Sequence, residues 1–175
     1  MSVFRHDFEN VQDYLHHRDP YLMVGAIDAI HDGAIDTSTT ITGDEYFMGG
    51  HFPGAPVIPG AMVQEMTTQT VWILLAARFN PMQEFNTHDP FFNEYALGVL
   101  VRVKGAPFRG FARPIDTLNT QVELADQLGD IFEFRGRISL HGKVIMSNSF
   151  QLANVLSATF RGYTNTTSAT LFRPV

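Results

Sequence analysis

The sequence predicts an α+β domain in which an antiparallel β-sheet wraps around one long buried helix. Residues 61–79 contain neither Gly nor Pro, and apolar side chains cover every side of the helix that they would form. Such a helix is buried all round. Five or six other segments alternate apolar with polar residues, as half-buried strands do. With 175 residues and 45% hydrophobic content, we expect residues 1–175 to form a single domain.

The first half of the chain begins with a short amphipathic helix, predicted over residues 10–16 from its apolar spacing. Residues 21–30 are strand-like, Asp32-Gly33 is typical of a hairpin turn, and the Thr-rich residues 34–41 form the returning strand. Residues 43–50 are a glycine-rich loop. Two strands therefore precede the buried helix.

The second half of the chain carries the remaining strands. They are predicted over residues 95–106, 118–124, 131–140 and 144–152. Gly98 and Gly105 are expected to mark bulges in the first of these strands. Residues 127–130 form a turn, and the polar tail at 154–175 is expected to lie on the surface.

Residues 80–94 form an irregular insertion with two prolines and three aromatic residues, Phe85, Phe91 and Phe92, that look exposed. They are either a lid over an apolar channel or a contact between subunits. His88 in the same segment is expected on the surface. The pair His16-His17 does not predict a metal site, because successive side chains diverge and no third ligand lies nearby.

Composition excludes several classes of protein. The chain has no Cys, which excludes disulfides, thiolate metal sites and a Cys nucleophile. Its N-terminal segment contains acidic residues and lacks the apolar core of a secretory signal. The longest apolar run, within residues 71–77, is too short to span a bilayer. We therefore expect a cytoplasmic protein.

The net charge of −6 is unevenly distributed. Residues 1–101 hold 13 acidic against three basic residues, whereas residues 102–175 hold nine basic against five acidic ones. No dense basic run predicts nucleic-acid binding. A local basic patch could still attract an acidic partner, and the first candidates for it are Arg102, Lys104, Arg109 and Arg113.

Residues 51–69, HFPGAPVIPGAMVQEMTTQ, carry the chemistry. The three prolines exclude a helix or a central strand before residue 59, so this part is a stiff loop. Pro59 suits the first position of a helix, and Gly60 lets another molecule approach the backbone. The free amides at this helix start are well placed to stabilise a carbonyl oxygen that gains negative charge.

Glu65 and Gln69 lie one turn apart on that helix, so the amide of Gln69 can hold the Glu65 carboxyl. A carboxyl in apolar surroundings needs a partner or a raised pKa. Glu65 is therefore a candidate acid near neutral pH.

These residues resemble the signature of the hot-dog-fold 3-hydroxyacyl-[acyl-carrier-protein] dehydratases, in which H-F-P-G, a second P-G and a helical E-x-x-x-Q follow in this order. Residues 15–30 resemble the family's entry segment, H-R-x-P-F-L-L-V-D, with Gly25 in place of its acid. Residues 102–118 resemble its F-R-x-x-V-x-P-G-D-x-L connection, with Ile115 in place of the glycine. This replacement is expected to stiffen the turn.

The resemblance implies a hot-dog fold and the removal of water from a (3R)-3-hydroxyacyl thioester to give the trans-2-enoyl thioester. It implies His51 as the base, Glu65 as the acid, Gly60 as the oxyanion donor and Gln69 as the group that orients Glu65. Phe52, Met62 and Trp72 are candidate walls of the acyl channel. A Glu at this position, rather than an Asp, is typical of the branch of the family that dehydrates without isomerising the double bond, and Glu65 resembles that pattern.

The implied partner is an acyl carrier protein bearing a 4'-phosphopantetheine acyl chain, or a coenzyme A thioester in its place. No cofactor or metal is implied. The protein is expected to be a homodimer or a dimer-based oligomer, because one sheet covers the helix poorly and leaves an open edge. In this family, the His of one subunit faces the acid of the other.

Two alternatives stay open. A thioesterase of the same fold would use carboxylate-activated water and release free carrier thiol. A non-catalytic acyl-binding module would bind acyl chains without exchanging the C2 proton. A thiol-release assay and an exchange assay distinguish them from a dehydratase.

Overall fold

The computed structural model describes residues 2–89 and 92–161, which form one β-sheet around a central helix. The elements in chain order are α1 (Val11–Tyr14), β1 (Ala26–Ile30), β2 (Ala34–Thr40), α2 (Gly60–Arg78), β3 (Tyr95–Gly105), β4 (Thr117–Leu128), β5 (Ile131–Leu140), β6 (Lys143–Leu156) and α3 (Ala158–Arg161). The strand order is β1-β2-β4-β5-β6-β3, and every neighbouring pair is antiparallel. The predicted fold class is confirmed.

Helix α2 is the centre of this arrangement. It runs without Gly or Pro after Gly60, and most of its side chains are buried. Its second half packs with Phe132, Phe134 and Phe150 of β5 and β6 in one apolar cluster. Its first half packs with Ile138 and Met146 in a second cluster. The first turn of α2 therefore lies at one end of the core, where the loop before it meets the sheet.

Both predicted bulges occur in β3, where the register with β6 shifts beside Gly98 and again before Gly105. Gly98 has φ of 68° and donates its amide to Asn154. A Cβ at this position would overlap the indole of Trp72, whose Nε1 donates to the Gly98 carbonyl. Glycine is thus required here for both backbone conformation and close packing on α2.

Strand β1 begins at Ala26, five residues later than the sequence predicts. The Tyr21 carbonyl accepts from the Gln69 amide, and the Met23 amide donates to the Gln69 side-chain oxygen. Because these backbone groups of Tyr21 and Met23 bond a side chain, this part of the segment lies outside the strand ladder. Gly25 bonds through its amide to Ser38 and Thr39, and a Cβ there would press on the Ser38 carbonyl.

The prediction that residues 154–175 form a surface tail is wrong for the first residues of this segment. Strand β6 continues to Leu156, and Asn154 is only 7% exposed because its side chain bonds Gly98 and Phe79. Ser157 is also buried, and α3 follows it. Residues 162–175 lie outside the described residues.

The insertion at residues 80–94 has no helix or strand in its described part, as predicted, but it is anchored to the core. Phe85 packs against the first cluster, which corrects the expectation that it is exposed, whereas half of Phe92 is exposed. Phe91 lies outside the described residues. His16 donates from Nδ1 to the Thr87 carbonyl, and its Nε2 accepts from Asn93. His88 is exposed as expected.

Ile115 occupies the turn between residues 113 and 116 with φ of 72°, although it is β-branched and 85% exposed. Its amide donates to the Ile41 carbonyl, and the Arg113 amide donates to Asp116. The turn thus keeps the left-handed residue that glycine would supply. An L-residue in this region costs about 1–2 kcal/mol.

Replacing Ile115 with Gly should raise the free energy of unfolding by roughly 0.5–1 kcal/mol, because the relief of strain exceeds the added entropy of the unfolded chain. Urea unfolding of the two proteins measures this difference. Ile115→Val keeps the β-branched strain and is the matched control, which should show no gain. A loss of stability in the Gly variant would mean that the Ile115 side chain makes a stabilising contact.

The sheet ends at β1 on one side and at β3 on the other. Strand β3 is the longer edge, with 11 residues against five, and it exposes Leu100 and Val103. Within residues 2–89 and 92–161, no helix is long and apolar enough to cross a bilayer.

Candidate active site

The loop that precedes α2 fixes His51 by two hydrogen bonds. Its backbone amide donates to the Met48 carbonyl at 3.2 Å, and its Nδ1 lies 2.9 Å from the Val57 carbonyl oxygen. A carbonyl oxygen only accepts, so Nδ1 carries the proton of this bond. In the neutral ring, Nε2 therefore presents a lone pair, as a general base requires.

His51 lines a cavity of about 240 Å³ at the start of α2. The walls are mostly apolar and come from the proline loop, the first turn of α2, the segment at 108–112 and β6: Phe52, Val57, Ile58, Gly60, Val63, Phe108, Gly110, Phe111, Ala112, Ile145 and Met146. The cavity thus has one imidazole in an apolar setting, which suits an acyl chain with a single reacting centre.

Gly60 is the first residue of α2, so its amide has no acceptor within the helix. The ring of Phe108 lies over it, and a Cβ at residue 60 would approach that ring to 3.2 Å. Glycine permits this close approach of the ring, which a larger residue would hinder. The positive end of the helix faces the same cavity and favours an oxygen that gains negative charge.

Gln69 holds the Glu65 carboxyl, as predicted from their spacing. The Gln69 Nε2 donates to Glu65 Oε1 at 3.0 Å and to the Tyr21 carbonyl at 2.9 Å, while its Oε1 accepts from the Met23 amide at 2.8 Å. Gln69 is 0% exposed. These three bonds orient the amide, so its nitrogen must face Glu65.

The pKa of Glu65 is raised because burial disfavours the charged carboxylate. Hydrogen bonds from Gln69 and from the Tyr21 hydroxyl oppose this shift but do not cancel it. Glu65 therefore holds its proton to a higher pH than an exposed glutamate, which a general acid requires.

The structure brings together only some of the residues that the sequence analysis names. Phe52 lines the His51 cavity, with Gly60. Glu65 is outside that lining in the described part of the chain and faces Tyr21 and Gln69 instead. Met62 packs against the second apolar cluster. Trp72 lines a separate small cavity beside His17, so the protomer does not place it in a channel with His51.

The sequence analysis did not identify three residues that lie near His51 or Glu65. Phe108 and Phe111 line the His51 cavity although they are distant from it in sequence, and the Tyr21 hydroxyl faces Glu65. Aromatic residues that flank the glycine in PFRGF were the available signal for the first two. Nothing in the local sequence connects Tyr21 with Glu65.

The four basic candidates are exposed, but they fall into two pairs. Arg109 and Arg113 flank residues that line the His51 cavity, and Arg109 donates to the Ser147 hydroxyl. Arg102 and Lys104 lie on edge strand β3, where Lys104 pairs with Glu133. The first pair is therefore the better placed to meet a molecule that reaches the cavity.

The fold is that of the hot-dog proteins. A dehydratase heterocomplex from Xenorhabdus doucetiae, ApeI:P, contains a chain of this fold with a TM-score of 0.69 and 18% identity, covering 89% of this chain and 97% of that one. A hypothetical thioesterase from Streptococcus pneumoniae, crystallised with coenzyme A, gives a TM-score of 0.53 and 11% identity over 74% of this chain and 84% of that one. Likeness at this level of identity shows the fold alone.

Sequence comparison is more specific. The FabA-like domain family matches residues 15–149, and the chain belongs to this family. On the branch called FabZ, the 3-hydroxyacyl-[acyl-carrier-protein] dehydratase of Thiobacillus denitrificans is 30% identical over 140 residues, which are 79% of this chain and 90% of the relative. That of Myxococcus xanthus is 31% identical over 151 residues, 86% and 92% of the two chains.

Proposed function

We propose that this protein removes water from (3R)-3-hydroxyacyl thioesters carried on acyl carrier protein, giving trans-2-enoyl thioesters in fatty acid or related lipid or polyketide biosynthesis. The observation that carries the proposal is that one chain holds both His51, fixed through Nδ1 by the Val57 carbonyl, and a half-buried Glu65 of raised pKa, fixed by Gln69. Family membership and the FabZ relatives support the same reaction.

In the proposed mechanism, Nε2 of His51 takes the proton from C2, next to the thioester carbonyl. The electrons move onto the carbonyl oxygen, which the Gly60 amide at the start of α2 stabilises. As they return, the C2–C3 double bond forms and the C3–O bond breaks. Glu65 gives its proton to the departing hydroxyl, which leaves as water. The chain contains a residue for each of these roles.

The active form is proposed to be a homodimer in which each site takes His51 from one subunit and Glu65 from the other. In the protomer, the two side chains face different surroundings, His51 the apolar cavity and Glu65 the Tyr21–Gln69 side of α2. The exposed edge of β3 supports pairing with a second copy, which would extend the sheet and cover Leu100 and Val103.

The proposal is tested by incubating the purified protein with 3-hydroxyacyl carriers of several chain lengths and following the products by mass. A loss of 18 mass units without release of carrier thiol identifies a dehydratase. Release of free thiol would identify a thioesterase of this fold instead. Substrate binding with neither product nor exchange of the C2 proton would identify a non-catalytic module.

The carrier is proposed to dock beside the His51 cavity, on Arg109 and Arg113. Reversing both charges should raise KM for carrier-bound substrate by about tenfold, at the low end of the range for electrostatic steering, and leave a short pantetheine substrate unaffected. Steady-state kinetics on the two substrates measure this. Arg5→Glu is the charge control. Equal losses on both substrates would mean that these arginines support the fold or the cavity.

The proposed compartment is the cytoplasm. A chain without Cys makes no use of an oxidising environment for its stability, and acyl carrier proteins are acidic partners that an exposed basic pair can attract in solution.

A further inference from the structure

The His51 cavity has an exposed rim and a buried floor. Three phenylalanines of its lining are largely exposed, with Phe52 at 63%, Phe108 at 48% and Phe111 at 76%. Other apolar side chains of the lining are at most 8% exposed and belong to the second apolar cluster of the core: Ile58, Val63, Ala112, Ile145 and Met146. The cavity therefore opens to solvent at the phenylalanines and ends against the core.

The part of this floor that comes from β6 is held by the segment that carries the rim. Phe108 pairs with Met146 in an isolated antiparallel bridge, and the Arg109 amide donates to the Ile145 carbonyl at 2.7 Å. Gly110 lies so close to the Ile145 side chain that a Cβ at residue 110 would come within 2.8 Å of it. A ligand therefore cannot push Ile145 towards this segment without a clash.

The charges beside the cavity indicate the direction in which an acyl thioester enters. Arg109 and Arg113 are exposed and flank the rim residue Phe111 in sequence. The proposed docking surface for the carrier is therefore on the side of the rim, and the end of the acyl chain points to the floor. The floor consists of apolar side chains, which suit a hydrocarbon tail.

The volume of the cavity limits what fits behind the rim. An apolar cavity of about 150 Å³ holds a benzene molecule, which corresponds to roughly 25 Å³ for each non-hydrogen atom. At this density the His51 cavity, with about 240 Å³, holds about ten such atoms. The reacting part of a 3-hydroxyacyl thioester, from its sulfur to C3 with both oxygens, takes about six of them. About four remain for the tail, which corresponds to acyl groups of roughly four to seven carbons.

We propose that the His51 cavity selects short-chain 3-hydroxyacyl thioesters, and that Ile145 and Met146 set the limit by closing its floor. This inference rests on the proposed function, because it names the class of substrate for the same site. A longer tail would have to displace packed core side chains or leave its reacting carbons outside the cavity, away from Nε2 of His51. The size of the floor thus determines chain length, whereas the docking arginines act on the carrier.

Two series of pantetheine thioesters test the inference, since they lack the carrier and its docking surface. The 3-hydroxyacyl series, from butanoyl to dodecanoyl, measures turnover, and the saturated series, which cannot react, measures binding by isothermal titration calorimetry. In wild-type protein, kcat/KM for the 3-hydroxyhexanoyl thioester should exceed that for the 3-hydroxydodecanoyl thioester by about tenfold or more, as expected for a methylene that does not fit an apolar pocket. The saturated hexanoyl thioester should bind more tightly than the dodecanoyl one by a similar factor.

Truncation of the floor should change this profile. Ile145→Ala should raise kcat/KM for the 3-hydroxydodecanoyl thioester about tenfold and change that for the 3-hydroxybutanoyl thioester by less than about threefold. Ile145→Val, a milder truncation that preserves the fold, should shift the profile in the same direction by about threefold. Ile35→Ala and Ile35→Val shorten a fully buried Ile of β2 outside the cavity lining, and these matched controls should keep the wild-type profile.

The two series separate this inference from the proposed function. A protein that turns over none of the 3-hydroxyacyl thioesters, yet binds the short saturated ones more tightly, refutes the dehydratase function and supports the size limit. Turnover that does not fall with chain length overturns the inference, and so does binding without a preference for short chains. A folded Ile145→Val protein with an unchanged profile overturns the role of the floor.

Discussion

A His51→Asn protein should lose dehydratase activity by about 10²- to 10⁴-fold and keep the wild-type fold. The Asn amide can donate to the Val57 carbonyl as Nδ1 does, so the loop keeps its anchor while the Nε2 base is lost. Glu65→Gln should cause a loss of similar size, because the amide keeps the shape of the carboxyl but is no acid. Turnover assays and circular dichroism of the purified proteins measure these effects.

Two exposed positions provide matched controls for these variants. His88→Asn makes the same replacement at an exposed His in the insertion, and Glu84→Gln does so at an exposed glutamate. Both should retain normal turnover. Near-normal activity in a folded His51→Asn protein would refute the proposed base, and the mechanism with it.

Co-expression of His51→Ala with Glu65→Gln should restore activity that neither variant has alone. In a shared site, a mixed dimer rebuilds one site with both groups intact and one with neither. Random pairing makes half of the dimers mixed, so roughly a quarter of the wild-type sites should return. Tagging each chain differently and purifying mixed dimers should raise this to about half.

The control for complementation is a mixture of the two variants purified separately and assayed before their subunits exchange, which should stay inactive. The stoichiometry of the tagged dimers must be verified by mass. Mixed dimers that are as inactive as either parent would show that His51 and Glu65 act within one chain, and the proposed shared site would have to be abandoned.

The fold was predictable because the strongest patterns in the sequence depend on local chemistry. An uninterrupted apolar run specifies α2, alternation specifies the strands, and the glycines at 98 and 105 mark the bulges. The prediction failed where side chains replace backbone partners. Residues 21–24 are an apolar run that resembles a strand, yet the Gln69 side chain takes hydrogen bonds of Tyr21 and Met23. Asn154 is polar, yet it is buried because Gly98 and Phe79 bond it.

The candidate site was predictable only in part, for the same reason. His51, Gly60, Glu65 and Gln69 are near one another in sequence, and the bond between Gln69 and Glu65 follows from helical spacing. The cavity wall from Phe108 and Phe111 depends on the antiparallel pairing of residues 107–109 with β6, which no local pattern encodes. Trp72 is apolar and on the same helix, yet its direction carries it to His17.

The three bonds of Gln69 make the entry segment and α2 inseparable for protein engineering. The Gln69 side-chain amide bonds the backbone of Tyr21 and Met23 as well as the Glu65 carboxyl. Residues 21–23 are therefore held at a fixed position relative to Glu65. A chimera that exchanges α2 with a homologue must therefore carry residues 18–25 from the same donor. New termini for circular permutation and inserted tags are better placed away from this segment. One suitable site is the β5–β6 hairpin, where residues 141–143 are exposed.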